Sequence, residues 1–179
     1  MKIINTLLIF AIATYACLLS SLTGYTQEKI RLTDAEIASI GVIANQIDIN
    51  YANLAKEKSK TEEVLKFAAT MASDHKAVID QAVALVTKLG VTPKDNEVGQ
   101  KLLNDSQTVL KKLKSKQGKA FDKAYIDNEV EYHKSVIGAV EGLLIPQADN
   151  RELKGFLQNI IPALKAHLAH AEMVQKQMK

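Results

Sequence analysis

A long amphipathic helix is encoded by residues 59–93, SKTEEVLKFAATMASDHKAVIDQAVALVTKLGVTP, and this stretch decides the fold class. Its apolar side chains recur every three or four residues, which places them on one face of a helix with about 3.6 residues per turn. Gly90 and Pro93 follow the last apolar position, and glycine then proline is a common exit from a helix. The stretch therefore predicts one main helix with a buried face made of Val64, Phe67, Ala68, Met71, Val78, Ala82, Leu85 and Leu89.

Three further main helices follow from the same periodicity. The first begins at Thr33, which has the capping-box spacing to Glu36. The third is expected to end at Pro146, because proline lacks the N–H donor that would continue the helix. The fourth contains Pro162, which predicts a kink or a local break. The inward residues are predicted to be Ile37, Ile40, Ala44, Ile47, Tyr51 and Ala55 in the first helix, Phe121, Tyr125, Tyr132, Val136, Val140 and Leu143 in the third (residues 119–144), and Leu153, Phe156, Leu157, Ile160, Leu164, Leu168, Ala171 and Val174 in the fourth (from residue 150).

The connection between the second and third main helices is long. Residues 91–118 form this link, and residues 96–114 within it are themselves predicted to be helical. A bundle built only from hairpins needs a short link here, whereas a long crossover is the ferritin-like arrangement. The sequence therefore predicts an all-α fold: a ferritin-like, antiparallel four-helix bundle over residues 33–177, with a long helical crossover between main helices 2 and 3.

The N-terminal segment differs in composition from the rest of the chain. Lys2 is followed by the almost uncharged apolar stretch Ile3–Leu19, and then by small and polar residues. This order is typical of a signal peptide, so residues 1–26 are predicted to be removed and the mature protein to lie in the periplasm or outside the cell. Retention of the segment as a membrane anchor is one alternative. Acylation of Cys17 is another, although the bulky Tyr15 and the apolar residues after Cys17 argue against it.

The cysteine content bears on disulfide formation, and the charge balance bears on the class of binding partner. Cys17 is the only cysteine, so a mature chain cleaved after it forms no disulfide. Removing the signal peptide takes only Lys2 from the 23 basic residues, which stay close in number to the 20 acidic ones. Such a balanced surface gives no reason to expect nucleic-acid binding. The partner stays open, with an envelope membrane, envelope proteins and further copies of the chain as alternatives.

Titratable side chains interrupt the predicted apolar faces. Asp48, His75, Glu129 and His167 lie inside the apolar stripes of the four main helices, and His133 falls just outside. Residue counts from the connecting turns, at about 1.5 Å per residue, give these side chains similar heights if the second and third main helices are parallel. The sequence therefore predicts that they meet near the middle of the bundle.

Two interpretations of this polar layer remain open. Imidazoles and carboxylates suit one transition-metal ion, here Fe, Zn, Mn or Cu, and the ion would offset the cost of burying the carboxylates. Alternatively, buried acids accept hydrogen bonds from the histidines and fix helix register without a metal. A dinuclear carboxylate centre is incompletely encoded, because the Glu-x-x-His pairs that it uses are missing. The candidate metal ligands are Asp48, His75, Glu129, His133, His167 and His170, with Asp74, Glu131 and Glu172 as further or outer ligands.

Four segments carry a family resemblance: Phe67-Ala-Ala-Thr-Met-Ala-Ser-Asp74-His75, Phe121-Asp122-Lys-Ala-Tyr125 followed by His133, Leu153-Lys-Gly-Phe156, and Pro162-Ala-Leu-Lys-Ala-His167. In this order they resemble a large family of secreted bacterial proteins of unknown function, ferritin-like in fold and often labelled predicted outer membrane proteins. The resemblance covers Thr33 to Met173, and it implies the fold and export without supplying a reaction. The first helix departs from the family, which often has a Glu where this chain has Asp48.

The sequence thus predicts an exported helical bundle of the cell envelope with a candidate metal site in its core. The alternative is a non-catalytic structural or partner-binding envelope module with a buried hydrogen-bond cluster. No complete catalytic signature accompanies the polar layer, so whether the protein is an enzyme stays open.

Overall fold

The computed structural model of the protein describes residues 31–178. The predicted signal peptide, residues 1–26 with Cys17, lies outside the described residues. Within them, no helix combines the length and the apolar character that a membrane span requires.

Helices make up nearly all of the described chain. Thr33 and Glu36 form the predicted capping box, in which Glu36 N–H donates to Thr33 Oγ1 at 3.3 Å and Thr33 N–H donates to Glu36 Oε2 at 2.9 Å. Gly90 caps the second helix in the left-handed region with φ +65°, which glycine adopts without strain. The all-α prediction is confirmed, and the elements are α1 (Asp34–Lys58), α2 (Glu62–Leu89), α3 (Glu97–Lys114), α4 (Gly118–Ala139), a π-helical turn (Val140–Leu144), α5 (Ile145–Gln147) and α6 (Arg151–Gln177).

The helix that was expected to end at Pro146 ends one residue later, at Gln147, and of the two outcomes expected at Pro162, a kink or a local break, the break does not occur. The helix does not end at Pro146: after α4 it widens into the π-helical turn and continues through Pro146 in α5. In the wider turn the Ile145 N–H bonds the carbonyl of Val140, five residues back, so the chain bypasses the bond that proline cannot make. Pro162 does not break α6 either. The carbonyl left without its helical donor belongs to Gln158, an exposed residue, where water can replace the lost bond.

Contacts at the helix ends define the direction of each helix. The start of α2 meets the start of α4, where Thr61 Oγ1 donates to Asp122 Oδ2 at 2.6 Å. The start of α3 meets the start of α1, where Lys94 N–H donates to the carbonyl of Ala35 at 3.0 Å. Thus α2 and α4 run in the same direction. The chain crosses from the end of α2 to the start of α4 through α3, which runs parallel to α1. This is the topology that the long 91–118 connection predicted.

The core consists of two apolar clusters with the polar layer at their boundary. One cluster surrounds the fully buried Phe67 and Tyr125, and the other contains Ile37, Ile40 and Leu157. His133 and His167 occur in sequence between members of the two clusters, whereas Asp48 and Glu129 are flanked by members of the first. For example, Leu164 precedes His167 in one cluster, and Ala171 follows it in the other.

Candidate metal centre

Three histidines from three helices converge at this boundary. His75 on α2, His133 on α4 and His167 on α6 are only 4%, 1% and 8% exposed. Their ring centroids lie 5.1–5.6 Å apart, and one ring nitrogen from each lies within 4.8 Å of the others. Because α6 packs against both α2 and α4, side chains from these three helices can reach one point in the interior of the bundle.

The second ring nitrogen of each histidine is held by an acceptor. His75 Nδ1 lies 2.7 Å from Asn45 Oδ1, and His133 Nδ1 lies 2.9 Å from the carbonyl of Glu129. His167 Nε2 lies 3.0 Å from Asp74 Oδ2. Since these partners accept, each of these ring nitrogens carries the proton and donates. The lone pairs therefore remain on Nε2 of His75, Nε2 of His133 and Nδ1 of His167, and none of these atoms has a hydrogen-bond partner.

The electrostatic setting keeps two of these histidines neutral. Burial, with smaller contributions from the neighbouring His133 and His167, lowers the pKa of His75 to about 3. Burial likewise lowers the pKa of His133 to about 4, against the opposing hydrogen bond to the Glu129 carbonyl. A metal binds the neutral imidazole, so these histidines need no deprotonation near neutral pH.

Two fully buried carboxyl groups adjoin the histidines. Asp48 Oδ2 lies 3.4 Å from His75 Nε2 and 3.7 Å from His133 Nε2, and Glu129 Oε2 lies 3.7 Å from His133 Nδ1. No N–H or hydroxyl of the described structure donates to their four oxygens, and the two carboxyl groups can share one proton in a hydrogen bond with each other. Burial raises the pKa of both groups, and Asp48 raises that of Glu129 further, because two adjacent carboxylates resist ionising together.

The donor set suits a single ion. Asp48, Glu129 and His133 form a second group of ligand atoms within 4.8 Å of one another. His133, however, has one free nitrogen, since its Nδ1 donates to a carbonyl, and one lone pair binds one ion. The two groups therefore share His133 and compete for it. Asp48 Oδ2 contacts two of the three histidines, His75 and His133, and so adjoins the group of imidazoles.

The spacing of these donors can be compared with metal geometry. In a tetrahedral site with bonds of about 2.0–2.1 Å, neighbouring donors are about 3.3 Å apart. The two contacts of Asp48 Oδ2, at 3.4 and 3.7 Å, are close to this value. The histidine nitrogens lie within 4.8 Å of one another, so they would approach by at most about 1.5 Å. Small side-chain rotations achieve such a movement, and the residues therefore fit a transition-metal ion.

A cavity of about 330 Å³ adjoins the histidines, which form part of its wall. Most of the remaining lining is apolar and comes from α1, α2, α3, α4 and α6. The candidate centre therefore has the cavity on one side and packed side chains on the others.

Other candidates occupy different places. His170 lies outside both ligand groups and packs against Phe67, with ring centroids 5.0 Å apart. Glu131 and Glu172 point to the surface, where both lie near Lys134. Asp74 takes an outer position as the acceptor for His167.

Sequence reasoning named His133 as a candidate ligand but misjudged its burial, and it did not single out Asn45. His133 was expected just outside the apolar face, but it is buried, because α1 and α6 both cover α4 and widen its buried face beyond its own apolar residues. Asn45, the acceptor for His75, was not singled out. Its position three residues before Asp48, on the same face of α1, was the available signal.

Comparison with known proteins places this architecture in a family. The model of the family described as Domain of unknown function (DUF4142) matches residues 20–174. The chain belongs to this family. The match includes every candidate ligand from Asp48 to His170, and the family description assigns no activity. No curated protein sequence matches the chain.

Two solved structures are similar to this DUF4142 protein. The "putative secreted protein DUF305" from Streptomyces coelicolor has a TM-score of 0.68 at 12% identity, with 81% of this chain and 93% of that chain covered. The structure of CopM in its Cu(II)-bound form has a TM-score of 0.62 at 15% identity, with 84% and 100% covered. At such low identity these likenesses establish the shared fold only.

Proposed function

We propose that this DUF4142 protein is an exported envelope protein that binds one late first-row transition-metal ion in its core. The ligands are His75, His133, His167 and Asp48. The observation that carries the proposal is the convergence of three buried histidines, each of which brings one ring nitrogen to within 4.8 Å of the others and has one ring nitrogen without a hydrogen-bond partner. Unpaired buried polar atoms are costly and uncommon in native proteins, so three together favour a ligand.

The outer hydrogen bonds support the same function. Ligand histidines in metal sites usually donate their other N–H to a carboxylate or carbonyl, which orients the ring and increases its basicity. Asp74 and the Glu129 carbonyl do this for His167 and His133, and Asn45 does it for His75. A purely structural cluster would also pair the free histidine nitrogens with the carboxyl oxygens, and no such hydrogen bond is present among the described residues.

The donor chemistry narrows the choice of ion. Imidazole nitrogens favour Cu, Zn, Ni and Fe over Mg and Ca, and Cu(II) binds tightest among divalent ions at a given site. The similar fold of CopM was solved with Cu(II), which makes copper the first ion to test. Zn(II) is the second, because three histidines with one further ligand form a common tetrahedral zinc site.

The test is metal analysis of the mature chain, purified without affinity metals. We expect about one ion per chain after incubation with Cu(II) or Zn(II), followed by competition with a chelator of known affinity. His133→Ala should weaken binding at least about 100-fold, and Asp74→Asn about 10- to 100-fold. His170→Ala is the matched control, because it removes a histidine that lies outside the centre, and it should bind like the wild type.

Two results would overturn the proposal. One is wild-type protein that takes up none of these metals. The other is a His170→Ala variant that loses as much affinity as His133→Ala, since surface or unfolded-chain binding would then explain the uptake. Export has its own test: we expect the N-terminus of protein from native cells to lie between residues 22 and 27, as the signal-peptide prediction requires.

A further inference from the structure

The lysines of this chain are unevenly distributed. The whole sequence is close to balanced in charge, with 23 basic and 20 acidic residues. Two short segments, residues 56–60 and 111–119, nevertheless contain eight lysines and a single carboxylate, that of Glu57. The overall balance therefore conceals a local excess of positive charge. The eight lysines are Lys56, Lys58, Lys60, Lys111, Lys112, Lys114, Lys116 and Lys119.

The fold brings these two segments together. Residues 56–60 connect α1 to α2, and residues 111–119 connect α3 to α4. Lys58 Nζ donates to the carbonyl of Lys114 at 2.7 Å, so the two connections touch. The contact between the starts of α2 and α4 agrees with this placement. The eight lysines therefore form one surface at one end of the bundle, which we call the basic end.

Few carboxylates offset the charge of the basic end. None of its eight lysines forms an ion pair with another described residue. Of the carboxylates at the starts of α2 and α4, Glu62 pairs with Lys66 and Asp122 is buried. Glu57 and Glu63 are exposed and remain to offset the lysines, of which six are exposed and two half-buried. A clear excess of positive charge therefore faces the solvent.

Helix dipoles account for only part of this cluster. Five of the lysines lie in the last turns of α1 and α3, where the terminal carbonyls favour a cation. Lys60 and Lys116 instead directly precede the N-caps of α2 and α4, and Lys119 lies in the first turn of α4. The dipole disfavours a cation at these three positions. Residues that oppose a local rule are expected at functional sites, so these three indicate a role beyond helix stability.

The composition of the basic end favours one class of partner. Its cations are all lysines, whereas arginine is preferred where one phosphate or carboxylate is recognised by a pair of hydrogen bonds. The two segments contain no aromatic residue on which a nucleic-acid base could stack. Clusters of lysines without such directional groups are attracted to membranes with anionic headgroups.

We propose that the basic end docks the protein on the surface of a bilayer that contains anionic phospholipids. The attraction is electrostatic, since Leu113, the one large apolar residue of the two segments, is buried and cannot enter the bilayer. Asp48 lies ten residues before Lys58 in α1, about 15 Å along the helix, so the candidate metal centre is not in contact with the membrane. The docking surface is therefore separate from the metal site, although the export proposed above would bring the protein to an envelope membrane.

Vesicle co-sedimentation with the mature chain in EDTA tests the inference. The vesicles are phosphatidylcholine with about one third phosphatidylglycerol, and pure phosphatidylcholine is the neutral comparison. At about 0.1 M NaCl, we expect binding to the anionic vesicles to be at least about 10-fold tighter than to the neutral ones. Raising NaCl to about 0.5 M should release the protein, because the Debye length falls to about 4 Å.

A triple variant locates the docking surface. Lys60→Gln/Lys116→Gln/Lys119→Gln removes the three cations that the helix dipoles disfavour, so the variant should fold at least as stably as the wild type. At about 1 kcal/mol per lysine, binding to anionic vesicles should weaken about 5-fold for each substitution and about 100-fold in total.

The matched control removes the same charge near the opposite end of the bundle. Lys88→Gln/Lys94→Gln/Lys101→Gln replaces three exposed lysines, each of which is paired with a carboxylate. Because these lysines lie far from the basic end, the control should weaken vesicle binding less than about 5-fold.

Each outcome decides the inference. It is overturned if wild-type protein binds neutral and anionic vesicles alike, if high salt does not release it, or if the two triple variants lose equal affinity. A preference for duplex DNA over anionic vesicles at equal phosphate concentration would assign the basic end to a nucleic acid and would also overturn it. Vesicle binding without metal uptake would reject only the metal proposal, and metal uptake without vesicle binding would reject only this one.

Discussion

The buried carboxyl pair predicts an unusual dependence of stability on pH. Burial and the neighbouring Asp48 raise the pKa of Glu129 well above its usual range. The folded protein therefore keeps a proton on this pair that the unfolded chain has already released. The stability that this retained proton contributes is fully present below the pKa of Glu in the unfolded chain, about 4.3. It is lost as the pH rises through the pKa of the group in the folded protein.

The window from pH 7 to pH 9 isolates this effect. The lowered pKa values of His75 and His133, about 3 and about 4, make the metal-free protein less stable only as pH falls below about 6.5. One extra proton in the folded state changes the unfolding free energy by about 1.4 kcal/mol per pH unit. We therefore expect the metal-free protein to become less stable between pH 7 and pH 9, at a rate that reaches this value only while the pair keeps its whole proton.

Urea unfolding in EDTA at pH 7, 8 and 9 measures this loss as a fall of up to about 1 M in the midpoint. Glu129→Gln should remove most of the pH dependence, because the amide has no proton to lose. Glu131→Gln is the matched control, since this side chain is on the same helix and 76% exposed. A wild-type midpoint that stays constant over this range, or an equal flattening by both variants, would refute the reasoning.

Three further predictions concern the scaffold, and urea unfolding at pH 7 measures all of them. Thr33→Ala removes the capping box with Glu36 and should cost about 1 kcal/mol; an unchanged midpoint would contradict this. Phe67→Ala leaves a cavity beside Tyr125 in the fully buried core and should cost about 3–5 kcal/mol. Pro162→Ala restores a helical donor at an exposed site and should stabilise by about 1–2 kcal/mol, since the helix gain exceeds the entropy lost with proline.

The helices and their order could be predicted from the sequence because the signals are local. Caps such as Thr33 and Gly90 and the repeat of apolar residues act within a few turns of one helix. The crossover followed from chain length, since residues 91–118 are too many for a tight turn. The behaviour at Pro146 could not be predicted, because a proline is compatible with both a helix end and a π-helical turn.

Only some residues of the candidate metal centre could be predicted from the sequence. Asp48 and His75 stood out because a charged or titratable group inside an apolar stripe conflicts with the periodicity around it. Asn45 gave no such conflict, and its role depends on the rotamer that brings Oδ1 to within 2.7 Å of His75. The cavity also has no sequence signal, because it arises from how several helices fail to fill the space between them.

The position of the polar layer connects stability with function. The apolar clusters above and below it supply the faces that hold the bundle together, so the fold itself needs no carboxyl or imidazole at their boundary. Each unpaired polar atom buried there costs about 1–3 kcal/mol, and a typical domain is stable by only about 5–15 kcal/mol. A ligand that satisfies these atoms recovers part of that cost, and at 100 times its dissociation constant it adds about 2.7 kcal/mol to the folded state. The layer that weakens the metal-free bundle is therefore the same layer through which metal binding would stabilise it.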